Sequence, residues 1–333
     1  MAWFLSAPVY ILIGPAAAVT VAALAGMRCE VDPLARDACF LVLGISVGTG
    51  FDSDAWQAMV RWPLAFLFMA VVLWLILITC RALLMRFFGF DRRSAVLASA
   101  PGHLSFVVVM ASEIGADLAR ISIVQSVRLL SLTLIVPFIV MWMGVEGMSQ
   151  VVPMGEAMAL WKFPVLLAAA LALGAVFKRL HVPAPLLMGA MAGSAFGQLS
   201  GLTPGVLPAW IVLPAYLVMG TLIGTRFSGV TVFDVAKGLG AGLVATTIAV
   251  GFAGLASLPV AWALGMPIPH VLVAFSPGGL ETMIAMGAVL GVIPGFVAAC
   301  HIARLTVLTF LLPLMVPGQD RAQPSSPDLS GTP

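Results

Sequence analysis

Charge is what this sequence has least of. Lys, Arg, Asp and Glu make up 9% of its 333 residues, where a soluble globular domain carries about 25%. Hydrophobic residues fill 61% of the chain and the mean hydropathy is +1.11. No soluble core could hide that much apolar surface, so the composition predicts an all-α, polytopic membrane protein whose first partner is the lipid bilayer. A transmembrane barrel would need short alternating segments instead of long apolar runs. The net charge of +2 comes with no basic cluster, so no nucleic-acid contact is expected.

The side chains of redox and metal chemistry are equally sparse. Cys29, Cys39, Cys80 and Cys300 show no CxxC spacing, which removes a zinc site and a disulfide framework. His103, His181, His270 and His301 fit neither HxxxH nor HExxH, whereas a copper or iron oxygenase needs clustered imidazoles and carboxylates. No GxSxG, Walker loop or GxGxxG occurs in the strand-helix context that its chemistry requires. No catalytic residue, metal or cofactor is therefore expected, and the chain reads as a non-enzyme. Residues 1–26 lack a basic n-region and a cleavage site, and read as a retained helix.

Apolar runs of spanning length occur near 7–26, 34–51, 62–86, 117–143, 161–180, 184–199, 206–226, 237–265 and 295–316. A span takes roughly 20 residues, so 34–51 and 184–199 are marginal. Self-comparison is more informative. A shift of 176 residues aligns 98–137 on 274–313 without a gap, with 11 identities in 40 positions. Pro101, Gly102, Gly115, Arg128 and Pro137 meet Pro277, Gly278, Gly291, Arg304 and Pro313. The same shift pairs Gly44, Gly48, Thr49 and Phe51 with Gly220, Gly224, Thr225 and Phe227. A shift of 175 pairs Pro8 and Gly14 with Pro183 and Gly189.

The chain thus reads as a duplication. Residues 1–143 form a first membrane repeat, 144–160 a linker, 161–316 a second repeat and 317–333 a polar, disordered tail. The helix opening the second copy, 161–180, has a counterpart that would fall before residue 1, so a truncated or misplaced start is expected.

Each repeat carries a Pro-Gly break, in 92–114 and in 267–290, readable as a discontinuous helix or as a re-entrant hairpin. The halves of the second would rise only about 13 and 16 Å, each short of a hydrocarbon core of roughly 30 Å. Basic residues separate the readings. Hairpins with an outside N-terminus leave twelve of the sixteen Lys and Arg in the cytoplasm and only Arg61 and Lys162 outside. Full crossings would distribute them eight to six, so the positive-inside rule favours hairpins. About nine crossings plus two hairpins result. Five crossings then separate equivalent points, so the repeats insert in opposite senses, an architecture common among secondary transporters.

The candidate site lies at the breaks. Ala100-Pro101-Gly102-His103 and Ser276-Pro277-Gly278-Gly279 leave backbone groups unpaired. Each following helix would aim free N–H groups at the break, which suits an anion. Arg128 and Arg304 sit mid-helix and stay charged, so each needs a partner or water. They could contact a ligand, or cap carbonyls at the hairpin and touch none; Glu281 is a candidate partner for Arg304. Gln125 and His301 precede the arginines by three and share their helical faces. Glu281 and His301 can titrate, which makes them, with Gln125 as the first-copy counterpart, coupling candidates. Glu113, Asp117 and Arg120 read as a solvated interfacial cluster.

The duplicated Pro-Gly motif, the following Gly and the helix from His301-Ile302-Ala303-Arg304 to Leu311-Leu312-Pro313 resemble the AbrB family of integral membrane proteins. Pro183-x-Pro185-Leu186-Leu187-Met188-Gly189 is similar to the family's other recurrent phrase, and the resemblance covers about residues 8–316. His103 in place of a second Gly and the missing first helix depart from the pattern. The resemblance implies two labels, transcriptional regulator and ammonia monooxygenase. The sequence contains no DNA-binding module for the first and no metal cluster for the second.

The expectation is a secondary transporter or permease of the bacterial inner membrane. It would move a small anionic or zwitterionic solute between the two breaks, with homo-oligomerisation left open. A membrane-bound regulator acting indirectly on gene expression is the alternative, and a membrane oxygenase comes third.

Overall fold

The computed structural model describes residues 10–51, 61–102, 104–143 and 155–316. The expected linker lies mostly outside them, as do the tail, His103 and residues 1–9. Within the described residues the chain is helical, with a single isolated bridge between Ala157 and Val206.

The first half contains α1 (Tyr10–Leu24), α2 (Pro33–Gly48), α3 (Trp62–Phe88), α4 (Arg92–Ser99), α5 (Leu104–Ile114) and α6 (Leu118–Trp142). The second contains α7 (Phe163–Arg179), α8 (Pro185–Leu199), α9 (Ala209–Gly224), α10 (Val232–Leu264), α11 (Ile268–Phe275), α12 (Leu280–Val289) and α13 (Pro294–Met315). Helix starts follow the local chemistry. Asp32 accepts from the Leu34 and Ala35 N–H groups (2.8 and 3.3 Å) ahead of Pro33, while Pro185 and Pro294 each open a helix. The bounds of α1 reappear at α8 displaced by 175 residues, and those of α2 and α4 at α9 and α11 displaced by 176.

Among the described residues six helices are long and apolar enough to cross a membrane, and they carry exposed Trp74, Leu255, Trp262 and Phe310. Such residues are solvated by acyl chains, so the protein is a multi-pass membrane protein. α1, α2 and α8 have only 15 or 16 residues, about 22–24 Å of rise.

Small residues let these short helices approach backbone to backbone. A Cβ on Gly44 would lie 2.5 Å from the Leu187 carbonyl oxygen, and one on Gly48 2.5 Å from that of Met191. Gly220 and Gly224 press on α1 in the same way, against Leu12 and Pro15 and then Ala16 and Val19. In both pairs residue numbers rise together, so α2 runs parallel to α8 and α9 parallel to α1. Between α7 and α8 they run oppositely: Gly189 meets Gly174, and Gly197 faces Leu166. The Cys39 thiol of α2 reaches the Ala215 carbonyl of α9 at 3.1 Å.

Each Pro-Gly segment folds back on itself. At the base of the first, Arg93 Nη1 donates to the Ile114 carbonyl (3.2 Å) and the Asp117 N–H to Ser94 Oγ (2.9 Å). The start of α4 therefore lies beside the end of α5. In the second, a Cβ on Gly287 would sit 3.8 Å from Val273 Cγ1. Two half-helices in a straight line would hold these residues roughly 20 Å apart.

Candidate functional site

The two breaks meet. Ala100 and Ser276 end α4 and α11 in extended conformation, and Ser276 Oγ donates back to the Leu272 carbonyl (2.7 Å). Gly102 holds φ +84°, and a Cβ there would lie 3.0 Å from the Gly278 carbonyl oxygen and 2.9 Å from Arg304 Nη2. Backbone at membrane depth that no helix satisfies must be satisfied by other protein groups. Here the mid-helix arginines do it.

Arg304 Nη1 donates to the Ser276 carbonyl (3.0 Å) and Nη2 to that of Gly278 (2.8 Å). Arg128 Nη2 donates to the Ala100 carbonyl (2.9 Å), with Gln125 Oε1 at 3.4 Å. Gln125 Nε2 in turn donates to the Leu97 carbonyl (3.2 Å). Both guanidiniums are 1% exposed. Of the two readings the sequence left open, this is the carbonyl-capping geometry, and among the described residues Glu281 pairs with neither arginine. His301 Nδ1 donates to the Val297 carbonyl (2.9 Å), which leaves its buried Nε2 without a partner.

Beside the tips lies open space. One cavity of about 520 Å³ is lined by Gly102, Gln125, Gly279, Glu281, Arg226 and His181, among others. A second, of about 360 Å³, shares Leu129, Arg226, Gly279 and Glu281 with it and extends to Arg36 and Thr282. Gly279 starts α12 with no side-chain cap, so the first N–H groups of that helix are left for whatever occupies this space. Ala184, at the start of α8, lines the first cavity in the left-handed conformation (φ 48°).

The residues expected from sequence separate into two sets. Gly102, Gly279, Glu281 and Gln125 reach the larger cavity. Ala100, Pro101, Ser276, Pro277, Gly278, Arg128, Arg304 and His301 are buried behind it as the frame of the breaks. Arg226 and His181 were missed as site residues. Arg226 counted only as a cytoplasmic charge, and its place two residues beyond the end of α9 was the available signal. The interfacial cluster keeps its expected character: Arg120 pairs with Asp117 at 3.4 Å with both side chains about half exposed. Among the described residues no three His, Cys, Asp or Glu side chains gather as metal ligands.

Helices long and apolar enough to cross a membrane, packed around two broken segments that meet beside a cavity, define a helical multi-pass membrane protein. The chain belongs to the AbrB family: residues 11–317 match the family described as "Transition state regulatory protein AbrB". It is 27% identical over 247 residues to "Uncharacterized protein YhjN" of Bacillus subtilis (strain 168), covering 69% of this chain and 64% of that protein. It is 24% identical over 291 residues to "Putative regulator AbrB" of Escherichia coli (strain K12), covering 84% of this chain and 81% of that one. The match thus spans just under two thirds of the first relative. No solved structure matches the chain.

Proposed function

We propose that the protein is a secondary transporter of the bacterial inner membrane, built from two inverted repeats, whose small charged solute binds where the two hairpin tips meet. The observation that carries this reading is the seating of Gly102 against Gly278 and Arg304 beside a cavity of about 520 Å³. Two irregular segments brought together from matching positions in the chain are the arrangement that inverted-repeat transporters use for their midplane sites, which supports this reading. The parallel registers of α2 with α8 and of α1 with α9 support the inversion. If α1 and α2 form an antiparallel pair across the membrane, then α1 and its counterpart α8 point in opposite directions.

Arg36 and Arg226 line the cavities, and the positive-inside count assigns both to the cytoplasmic side, which supports an inward-open reading. Glu281, which lines both cavities, remains a coupling candidate, whereas His301 is buried behind the tips. Relatives in two bacteria support the cellular setting, and homo-oligomerisation is compatible with it.

Reconstitution into liposomes tests the proposal. Solute-dependent currents should be measurable on supported membranes with a panel of small carboxylates and amino acids, and Gly102→Val, which fills the contact between the tips, should abolish them. Currents untouched by Gly102→Val would place the site elsewhere. The second reading, a membrane-bound regulator, draws on the name of the Escherichia coli relative. It predicts altered gene expression in a deletion strain while the purified protein moves no solute.

A further inference from the structure

The charges facing the shared cavity are unequal in their commitments. Arg36 is already paired with Asp37, its Nη2 2.9 Å from the carboxylate. Arg226 and Glu281 each line both cavities, yet neither side chain makes a hydrogen bond or ion pair with another described residue. Arg304, the partner that the sequence suggests for Glu281, has its two terminal nitrogens committed to the Ser276 and Gly278 carbonyls. Among the described residues the open site therefore holds one free cation and one free carboxylate, which sum to zero.

Resting on the transport reading, we propose that the solute is a zwitterion carrying an ammonium and a carboxylate, as an α-amino acid does. Arg226 receives the carboxylate and Glu281 the ammonium. A guanidinium offers a two-pronged donor that matches a carboxylate, and an ionised carboxyl accepts from an ammonium through both oxygens. A simple anion would gain Arg226 and meet repulsion from Glu281; a simple amine would meet the reverse. Only a solute with both charges leaves neither residue unpaired as water is excluded, and an unpaired charge is costly at that depth. The rest of the larger cavity's wall, Leu129, Pro183, Ala184, Ile302 and Leu305, is apolar and suits an uncharged side chain.

The test uses the purified full-length chain and three matched probe sets: neutral L-amino acids, the corresponding des-amino carboxylates and the corresponding amines. Thermal stabilisation and proteoliposome uptake are the readouts. At least one amino acid should bind tenfold or more tighter than both of its analogues. Glu281→Gln should invert that preference in favour of the carboxylate, and Arg226→Gln should lose carboxylate-bearing probes and shift toward amines. Gel filtration and circular dichroism establish that both variants are folded. If wild type takes up carboxylates or amines as well as amino acids, the zwitterion assignment fails while transport stands. If folded protein binds and moves none of the three sets, both fail.

Discussion

Gly102 and Arg304, 202 positions apart in the chain, touch at the centre of the protein: the guanidinium Nη2 stands 2.9 Å from where a Cβ of residue 102 would be. The same nitrogen donates to the Gly278 carbonyl at 2.8 Å. One side chain thus supports the broken backbone of its own half and forms the surface on which the other half's break rests.

Gly102→Ala should destabilise the protein more than Gly115→Ala. Both positions have positive φ (84° and 66°), so both pay about 1–2 kcal/mol for left-handed backbone. Only at Gly102 does the new methyl meet Arg304 and the Gly278 carbonyl, whereas nothing lies within 4 Å of Gly115. Thermal melts in detergent of the two variants check this, and equal losses would mean the tips do not touch.

Arg304→Ala should cost more than Arg128→Ala. The first orphans two carbonyls, Ser276 and Gly278, and the second orphans one, Ala100. Each buried carbonyl left unpaired costs about 1–3 kcal/mol. Arg304→Lys should recover only part of the loss, since an ammonium lacks the planar fork that reaches both oxygens. Melting temperatures of the three variants give the ranking.

Gly48→Ala and Gly224→Ala should each destabilise by about 1–3 kcal/mol through overpacking. The added methyls would lie 2.5 Å from the Met191 carbonyl oxygen and 2.6 Å from Val19 Cβ. Gly251→Ala, inside α10 with nothing within 4 Å, should instead be neutral or stabilising by up to about 1 kcal/mol. Opposite signs in chemical or thermal denaturation are the expected result.

Asp91 caps α4 through the Arg93 and Ser94 N–H groups, at 3.1 and 3.0 Å. Partial burial pushes its carboxyl up, but hydrogen bonds from the Ser94 side chain and from the Ser94 and Arg93 backbone outweigh that and hold it below its usual range. Its contribution is therefore complete above the unfolded value of about 3.9 and is lost as pH falls through the lower folded value. Asp91→Ala should cost about 1 kcal/mol at neutral pH. The gap between wild type and variant should narrow as melts are taken from pH 6 toward pH 3.

Single cysteines introduced at 92–94 and at 267–269 should label from opposite faces of the membrane with an impermeant maleimide. Same-side labelling would defeat the inverted arrangement.

The legible part of the fold was the part set by local chemistry. Pro101 and Pro277 remove helix donors wherever they fall, so the ends of α4 and α11 could be placed near Ser99 and Phe275 from the residues alone. The span 117–143 became Leu118–Trp142. The expected start of α10, at 237, was five residues late, because Val232 to Lys237 is too polar for an apolar-run criterion yet continues the helix. Glu281 was singled out because a carboxylate is rare in such sequence. Arg226 was not, because a basic residue at a helix end is ordinary in a membrane protein.

Composition and the Pro-Gly breaks determined by themselves that this is a helical membrane protein with two matched irregular segments. These features belong to backbone bonding and burial, which act within a few residues. Only the tertiary structure decided that Arg304 secures carbonyls while Arg226 and Glu281 face open space. That division depends on where glycine-lined helices let distant backbones approach, and no local pattern encodes which charge is left without a partner.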